Sequence, residues 1–250
     1  MENKVAIVIP ARYESSRFPG KPLVEIKGKS MIQRVYERCC LVENAEVWVA
    51  TDDQRIFESV QSFGGRVKMT STSHRTGTSR VAEVAAGLRD VKWIINVQGD
   101  EPFISPTQIQ AVIEVLAKGA EIATLLRAEK DMKHMASEHV VKAVRGRNGR
   151  ALYFSRSLIP FVRNTSSQHT WYQHVGMYGF LRSTLLELME LPPTILEETE
   201  SLEQLGWLSH GYSIMTALTD EESIGVDIPA DLEEIERRWE EIQRKSGSMR

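Results

Sequence analysis

Short strand-like runs recur through the amino-terminal half of the chain and constrain its fold more than any other feature: "VAIVI" at 5–9, "EVWVA" at 46–50, "RVKMT" at 66–70 and "WIINV" at 93–97. Between them lie segments with helical spacing, over 31–41, 54–63 and 80–88. This alternation predicts an α/β fold with a Rossmann-like, mostly parallel sheet. Parallel neighbours need a crossover to return, and the crossover helices then cover both faces. The boundaries have chemical causes. Ser30 can cap the first helix, Ser105 can cap another with Pro106 at its first position, and the glycines of "FGG" can end the second.

From about 121 the rhythm changes. "EIATLLR", "HVVKAVR" and "ALYFS" follow one another as strands, with "RGRNGR" between the last two as a hairpin signal. Helical spacing returns at 184–191 and 198–209, and a charged helix runs over 230–245. "NTSSQHT" at 164–170 reads as a mobile loop. The expected organisation is an α/β core over 1–120 and 215–250, with a smaller β-containing lobe over 121–214.

At 250 residues and 42% hydrophobic, the chain can bury one large core with such an appendage. A net charge of −3 provides no basic field for nucleic acid, so any anion site must be local. The only cysteines, Cys39 and Cys40, are adjacent, which fits free thiols in a reducing compartment and neither a disulfide framework nor a zinc site. No leader pattern or membrane-length apolar stretch stands out, so the expectation is a soluble cytoplasmic protein with no membrane insertion.

The first strand leads into "PARYESSRFPGKPL" at 10–23. Pro10, Pro19 and Pro22 prevent a helix there, leaving a shaped loop that carries Arg12, Arg17 and Lys21. Ser15 and Pro22 stand where a Walker A loop would need a glycine and a magnesium-binding hydroxyl. Basic side chains and the amides around Gly20 can nevertheless hold nucleotide phosphates, or form a solvated loop. "NVQGDEP" at 96–102 follows the strongest apolar strand. In a parallel sheet, Asp100 would stand on the same edge as Arg12 and Lys21, where a phosphate-bound Mg²⁺ needs an oxygen ligand; a plain turn is the alternative.

These motifs, with "HRTGTSRVAEV", "ALYFSR", "QHVGMYGF", "LEQL" and "GVDIPADLEEI" in the same order, resemble the 3-deoxy-manno-octulosonate cytidylyltransferase family over nearly the whole chain. The resemblance implies Mg²⁺-dependent transfer of CMP from CTP to the anomeric 2-hydroxyl of a 2-keto-3-deoxy sugar acid, most simply 3-deoxy-D-manno-octulosonate (Kdo). Pyrophosphate would be released, and the protein would be a homodimer serving lipopolysaccharide or capsule synthesis. It implies catalytic roles for Arg12, Lys21, Asp100 and Asp227, the two acids binding metal. Pro10, Ala11, Arg17, Arg75, Thr76, Gly77, Arg80 and Gln98 would complete the nucleotide site. Arg156, His174, Tyr178, Glu200 and Gln204 would hold the sugar acid, the last two sharing a helix face one turn apart. On their own, Asp227 reads as a turn acid, Arg80 and Arg156 as surface charges and His174 as a core histidine.

Two positions depart from the pattern the resemblance suggests: Ser79, where an acid is common, and Gly206, where an arginine is common. They leave open a modified acid, such as the 8-amino analogue of Kdo, or a catalytically silent nucleotide-binding protein.

Overall fold

Strand β1 (Val5–Ala11) is covered on both faces: Ala6, Ile7, Val8 and Ile9 are all wholly buried. Such unbroken burial is the mark of a parallel strand under helices on both sides. The computed structural model describes residues 4–14, 18–164, 169–222, 225–226 and 228–247. Arg17, Asp227 and positions 165–168 of the expected mobile loop lie outside the described residues. The chain forms two compact units, one of Met1–Gln110 with Ser223–Arg250, the other Ala111–Glu222.

In the first unit, β1 is followed by a 3-10 turn at Lys21–Leu23, a small hairpin of β2 (Glu25–Ile26) and β3 (Lys29–Ser30), and helix α1 (Met31–Cys39). Then come β4 (Ala45–Thr51), α2 (Gln54–Ser62), β5 (Val67–Met69), α3 (Gly77–Gly87), β6 (Trp93–Asn96) and α4 (Pro106–Ala117). The strands pair in the order β6–β1–β4–β5, all parallel, with Ile7 facing Ile95 on one side and Val47 on the other. The α/β fold with a mostly parallel sheet is therefore as expected.

The expected caps form. The Ser30 hydroxyl accepts from the Gln33 amide, and Gly64, at φ 78°, ends α2 in the left-handed conformation that glycine adopts without penalty. The amide of Thr107 donates to Ser105 Oγ at 3.3 Å at the start of α4. Cys39 is buried and Cys40 exposed, both as free thiols.

In the second unit the elements are β7 (Ile122–Glu129), α5 (Met132–Met135), β8 (Lys142–Arg145), β9 (Ala151–Ser155), β10 (Trp171–Leu181), α6 (Arg182–Leu188), α7 (Ile195–Glu200), α8 (Glu203–Ser209) and β11 (Ile214–Thr219). Neighbours follow the order β11–β7–β10–β8–β9, with β11 parallel to β7 and the remaining pairs antiparallel. The "RGRNGR" hairpin is present: the Gly146 amide donates to Arg150 O at 2.8 Å, and Gly149 takes φ 84°.

Three details differ from expectation. The strand expected from 139 starts only at Lys142, because the wholly buried Lys142 ammonium binds the carbonyls of Ser137, Val140 and Arg156 and holds the preceding residues in a turn. The single helix expected over 198–209 is two helices, because Ser201 sits in the left-handed region at φ 50°, ψ 51° and ends α7. Two strands form where none is expected: β10, which carries a bulge, and β11, which pairs with β7.

The last helix, α9 (Pro229–Gly247), returns to the first unit. Its Ile235 is buried with Ile26, Met31, Phe103 and Val226. Trp239 packs its ring 5.2 Å from Phe103 while the Arg34 guanidinium lies 4.3 Å over the same ring. This clamp secures the segment that leads through Val226.

Candidate functional site

The loop after β1 is closed by its own residues. Gly20, at φ 74°, donates its amide to Tyr13 O at 2.8 Å, and a side chain in its place would press on the Tyr13 ring at 3.2 Å. The Arg55 guanidinium lies over that ring, 3.2 Å from its centre. Closure by Tyr13 and Gly20 sets the start of the 3-10 turn and aims Lys21 inward.

Lys21 Nζ donates at 2.7 Å to Asp100 Oδ2 and at 2.7 Å to Val226 O, while the Val226 amide donates to Asp100 O at 3.0 Å. The loop after β1, the loop after β6 and the segment before α9 thus converge on Lys21 and Asp100. The Lys21 side chain is 14% exposed and that of Asp100 33%, so the carboxylate stays reachable from solvent. Arg12 stands exposed on the same loop.

Close approach at this edge depends on two glycines. A Cβ at Gly99 would sit 2.9 Å from Pro10 O, and one at Gly77 would sit 3.2 Å from the Pro10 ring. They let the loop after β6 and the first turn of α3 lie against Pro10, with Gln98 half-buried next to Gly99 in the chain. Burial, with the neighbouring Asp100 as a lesser cause, pushes the Glu101 carboxyl up to about 8.

At the start of α3 the Thr76 hydroxyl accepts from the Ser79 amide at 3.1 Å, and the Ser79 hydroxyl donates to Thr76 O at 3.0 Å. Position 79 is therefore the capping-box position of the helix. An acid there would accept from the Thr76 amide, whereas the Ser79 hydroxyl donates to the Thr76 carbonyl. Arg75 is exposed. Arg80 is not the surface residue its helix position suggests: it is 4% exposed, paired with Asp52 at 2.6 Å and donating to Thr70 Oγ1 at 2.6 Å.

The expected sugar-acid residues all fall in the second unit. Arg156 donates to three carbonyls, Glu200 O at 2.8 Å, Glu138 O at 3.1 Å and Ser201 O at 3.5 Å. Glu200 in turn accepts from the Ser155 hydroxyl and the Arg156 amide, each at 2.7 Å. The break at Ser201 separates Glu200 on α7 from Gln204 on α8, so these two do not share one helix face; Gln204 is 4% exposed.

His174 and Tyr178 lie with ring centres 5.2 Å apart, and Phe154 meets His174 edge-on at 5.2 Å. This enclosure pushes the His174 imidazole down to about 3. The Tyr178 hydroxyl is buried with no hydrogen-bond partner among the described residues, and burial together with the Glu203 charge raises its pKa well above the ordinary value. Gly206 is occupied ground: a Cβ there would overlap the Glu197 carboxylate, whose Cδ would lie 3.0 Å away.

Sequence reasoning missed Asp52, Glu101 and Thr124. Asp52 follows β4 at the same edge as Lys21 and could have been read from "TDD" after a strand; the other two carry no local signal. Among the described residues, no group of three or more His, Cys, Asp or Glu is placed to share a metal ion. A cavity of about 690 Å³ lined by Lys4, Tyr36, Cys40, Arg66 and Leu88 lies where β1 and β4 begin, at the opposite edge, and includes none of these residues.

The cytidylyltransferase family model matches residues 6–221. The 3-deoxy-manno-octulosonate cytidylyltransferase of Myxococcus xanthus is 47% identical over 235 residues, covering 93% of this chain and 95% of its own length. That of Geobacter metallireducens is 47% identical over 255 residues, covering 96% and 99%. Among solved structures, a CMP:2-keto-3-deoxy-manno-octonic acid synthetase complexed with CTP superposes with a TM-score of 0.91 at 42% identity, covering 96% of this chain and 99% of the other. The 4-diphosphocytidyl-2C-methyl-D-erythritol synthase of Anaerococcus prevotii shares the fold at a TM-score of 0.64 and 12% identity, covering 95% and 96%.

Proposed function

The chain belongs to the 3-deoxy-manno-octulosonate cytidylyltransferase family, and on that premise we propose that it transfers CMP from CTP to the anomeric 2-hydroxyl of Kdo, releasing pyrophosphate. The observation that carries the reading is the Lys21–Asp100 contact at 2.7 Å. A phosphate-gripping cation and a metal-binding type of acid, far apart in sequence, meet beyond the carboxyl ends of adjacent parallel strands, where open α/β sheets bind ligands.

Lys21 and exposed Arg12 bind phosphate oxygens and stabilise the charge that develops on the leaving pyrophosphate, with Arg17 contributing from the same loop. The amides at the start of α3, with Thr76 and Gly77 beside Pro10 and Ala11, and with Gln98 and Arg75, line the cytidine. Buried Arg80 acts from behind by fixing Asp52 and the Thr70 strand end.

A nucleotide-bound Mg²⁺ takes most of its oxygens from phosphate and water, so one or two protein carboxylates suffice. The accessible Asp100 carboxylate fits that need, and Asp227 is the second acid proposed. When bound, Mg²⁺ supplies charge neutralisation and lowers the pKa of the attacking hydroxyl. Asp100 can exchange its bond to Lys21 for the metal, which frees the ammonium for phosphate.

For the sugar acid, Arg156 uses three of its five N–H donors on carbonyls and keeps two for a carboxylate. His174, Tyr178, Glu200 and Gln204 supply hydrogen bonds to the hydroxyls. We also propose a cytoplasmic homodimer serving an outer-surface glycan such as lipopolysaccharide. Exposed Leu152, Phe161, Ile195 and Leu218 on the second unit support self-association, and free Cys39 and Cys40 support a reducing compartment. No helix of the described residues is long and apolar enough to cross a membrane.

The test is pyrophosphate release from CTP and Mg²⁺ with Kdo, its 8-amino analogue and sialic acid as acceptors. Turnover with Kdo is expected; turnover with none of them, or with UTP preferred, rejects the reading.

A further inference from the structure

Strand residues four apart stand about 13 Å from each other at the ordinary rise, yet the rings of His174 and Tyr178 have centres 5.2 Å apart. The cause lies in the register of β10 against β7. Val175 faces Leu125 and Tyr178 faces Thr124, so three steps along β10 match one step along β7, with Gly176 and Met177 as the extra residues. A bulge of this kind frees backbone carbonyls from the ladder and re-aims side chains.

The Thr124 hydroxyl occupies the bulge. Its oxygen lies 2.7 Å from Met177 O, 3.4 Å from Val175 O and 3.0 Å from His174 Nε2. A hydroxyl has one proton to give, and a carbonyl can only accept. The 2.7 Å contact therefore takes that proton, and Thr124 turns lone pairs toward the imidazole. Nε2 must then be the donor. A neutral imidazole carries a single N–H, so Nδ1 is left as a bare acceptor, and it has no partner among the described residues.

We infer that Thr124 is a positioning residue: its hydroxyl stitches the β10 bulge and holds His174 as the Nε2–H tautomer, offering Nδ1 as an acceptor to a hydroxyl of the sugar acid. The substrate half of this inference rests on the function proposed above; the tautomer half rests on the free protein alone. The inference also predicts a preference in chemistry: a ligand group that donates a hydrogen bond is accepted at Nδ1, and an ether or carbonyl oxygen in its place is not.

The test uses the full chain labelled with ¹⁵N, in long-range ¹H–¹⁵N spectra near neutral pH, with His174→Gln identifying the signal by its loss. Wild type and Thr124→Ser are expected to show Nε2 protonated and Nδ1 bare, while Thr124→Val, which keeps the shape and removes the hydroxyl, loses the single tautomer. In parallel, T124V is expected to raise KM for Kdo about tenfold, the worth of roughly one hydrogen bond, with KM for CTP unchanged and T124S restoring both.

A protonated Nδ1 in the wild-type spectrum overturns the inference and needs no variant, so a T124V chain that fails to fold does not shield it. The expected tautomer with no change of KM for Kdo in T124V overturns the positioning role. The expected tautomer in a wild-type protein that turns over no Kdo rejects the proposed function instead, and supports the hold of Thr124 on His174.

Discussion

The strand-end site around Lys21 and Asp100 and the lobe site around Arg156, His174 and Glu200 treat their polar groups in opposite ways. In the first, the Lys21–Asp100 ion pair at 2.7 Å is partly exposed, and Arg12 is exposed on the same loop. In the second, nearly every polar group already binds another: Glu200 holds Ser155 and Arg156, Arg156 holds three carbonyls, and Thr124 holds His174. The contrast follows from the ligands proposed. A metal triphosphate brings its own strong field and can displace a solvent-accessible ion pair. A polyol acid is recognised by weak directional bonds, which require groups fixed in advance.

Four substitutions or conditions can break that contrast. The largest effect is expected from Asp100→Asn, which keeps the shape and removes the charge: kcat falls by about 10²–10³, the scale for losing one preorganised electrostatic group, while the melting temperature holds. Near-wild-type turnover at saturating Mg²⁺ would refute the role of Asp100. Next, Arg156→Lys cannot span the three carbonyls, so it is expected to lower stability by about 1–3 kcal/mol and to raise KM for Kdo together. An effect on KM without any loss of stability would show that the lobe is not built as an interlocked network.

The third is pH. The His174 imidazole is held neutral with its pKa near 3 in the fold, against an ordinary value of 6.5. Between these values the unfolded chain binds the proton and the folded chain does not, so stability falls as pH drops below about 6.5 and rises with pH through that window. The loss at pH 5 is about 2 kcal/mol at most, from the pKa difference alone. Urea denaturation at pH 7 and pH 5 measures it, and His174→Phe should flatten the difference; an equal pH response in that variant would assign the effect elsewhere.

The smallest effect is expected at Gly206. Helix propensity alone predicts that Gly206→Ala stabilises by about 1 kcal/mol, but the new methyl group meets the Glu197 carboxylate, so no gain is expected. The gain should reappear in the Glu197→Ala background. Stabilisation by G206A alone would mean that Glu197 yields freely.

The strand-end site was legible in the sequence because each of its parts is local. An apolar run ending in a proline- and glycine-shaped basic loop, and another ending in "QGDEP", place Lys21 and Asp100 on one edge once the strands are parallel. The lobe was legible only through resemblance. Its determinants are a left-handed Ser201 that splits one apparent helix, a bulge that brings His174 to Tyr178, and a threonine whose partner lies on another strand. None of these alters the local pattern of apolar and polar residues on which sequence reading depends. The surface reading of Arg80 fails for the same reason: its helix position suggests solvent, and only the approach of Asp52 and Thr70 from other segments buries its charge.

The sequence by itself determined the α/β class, the helix caps and the loop chemistry after β1, because periodicity, capping and turn formation are decided by neighbours a few residues away. Tertiary structure alone decided that Asp100 meets Lys21, that Arg156 is bound from three sides, and that Thr124 meets His174. Those outcomes depend on which distant groups share a hydrogen bond, and a donor with one proton can satisfy only the acceptor that the fold brings nearest.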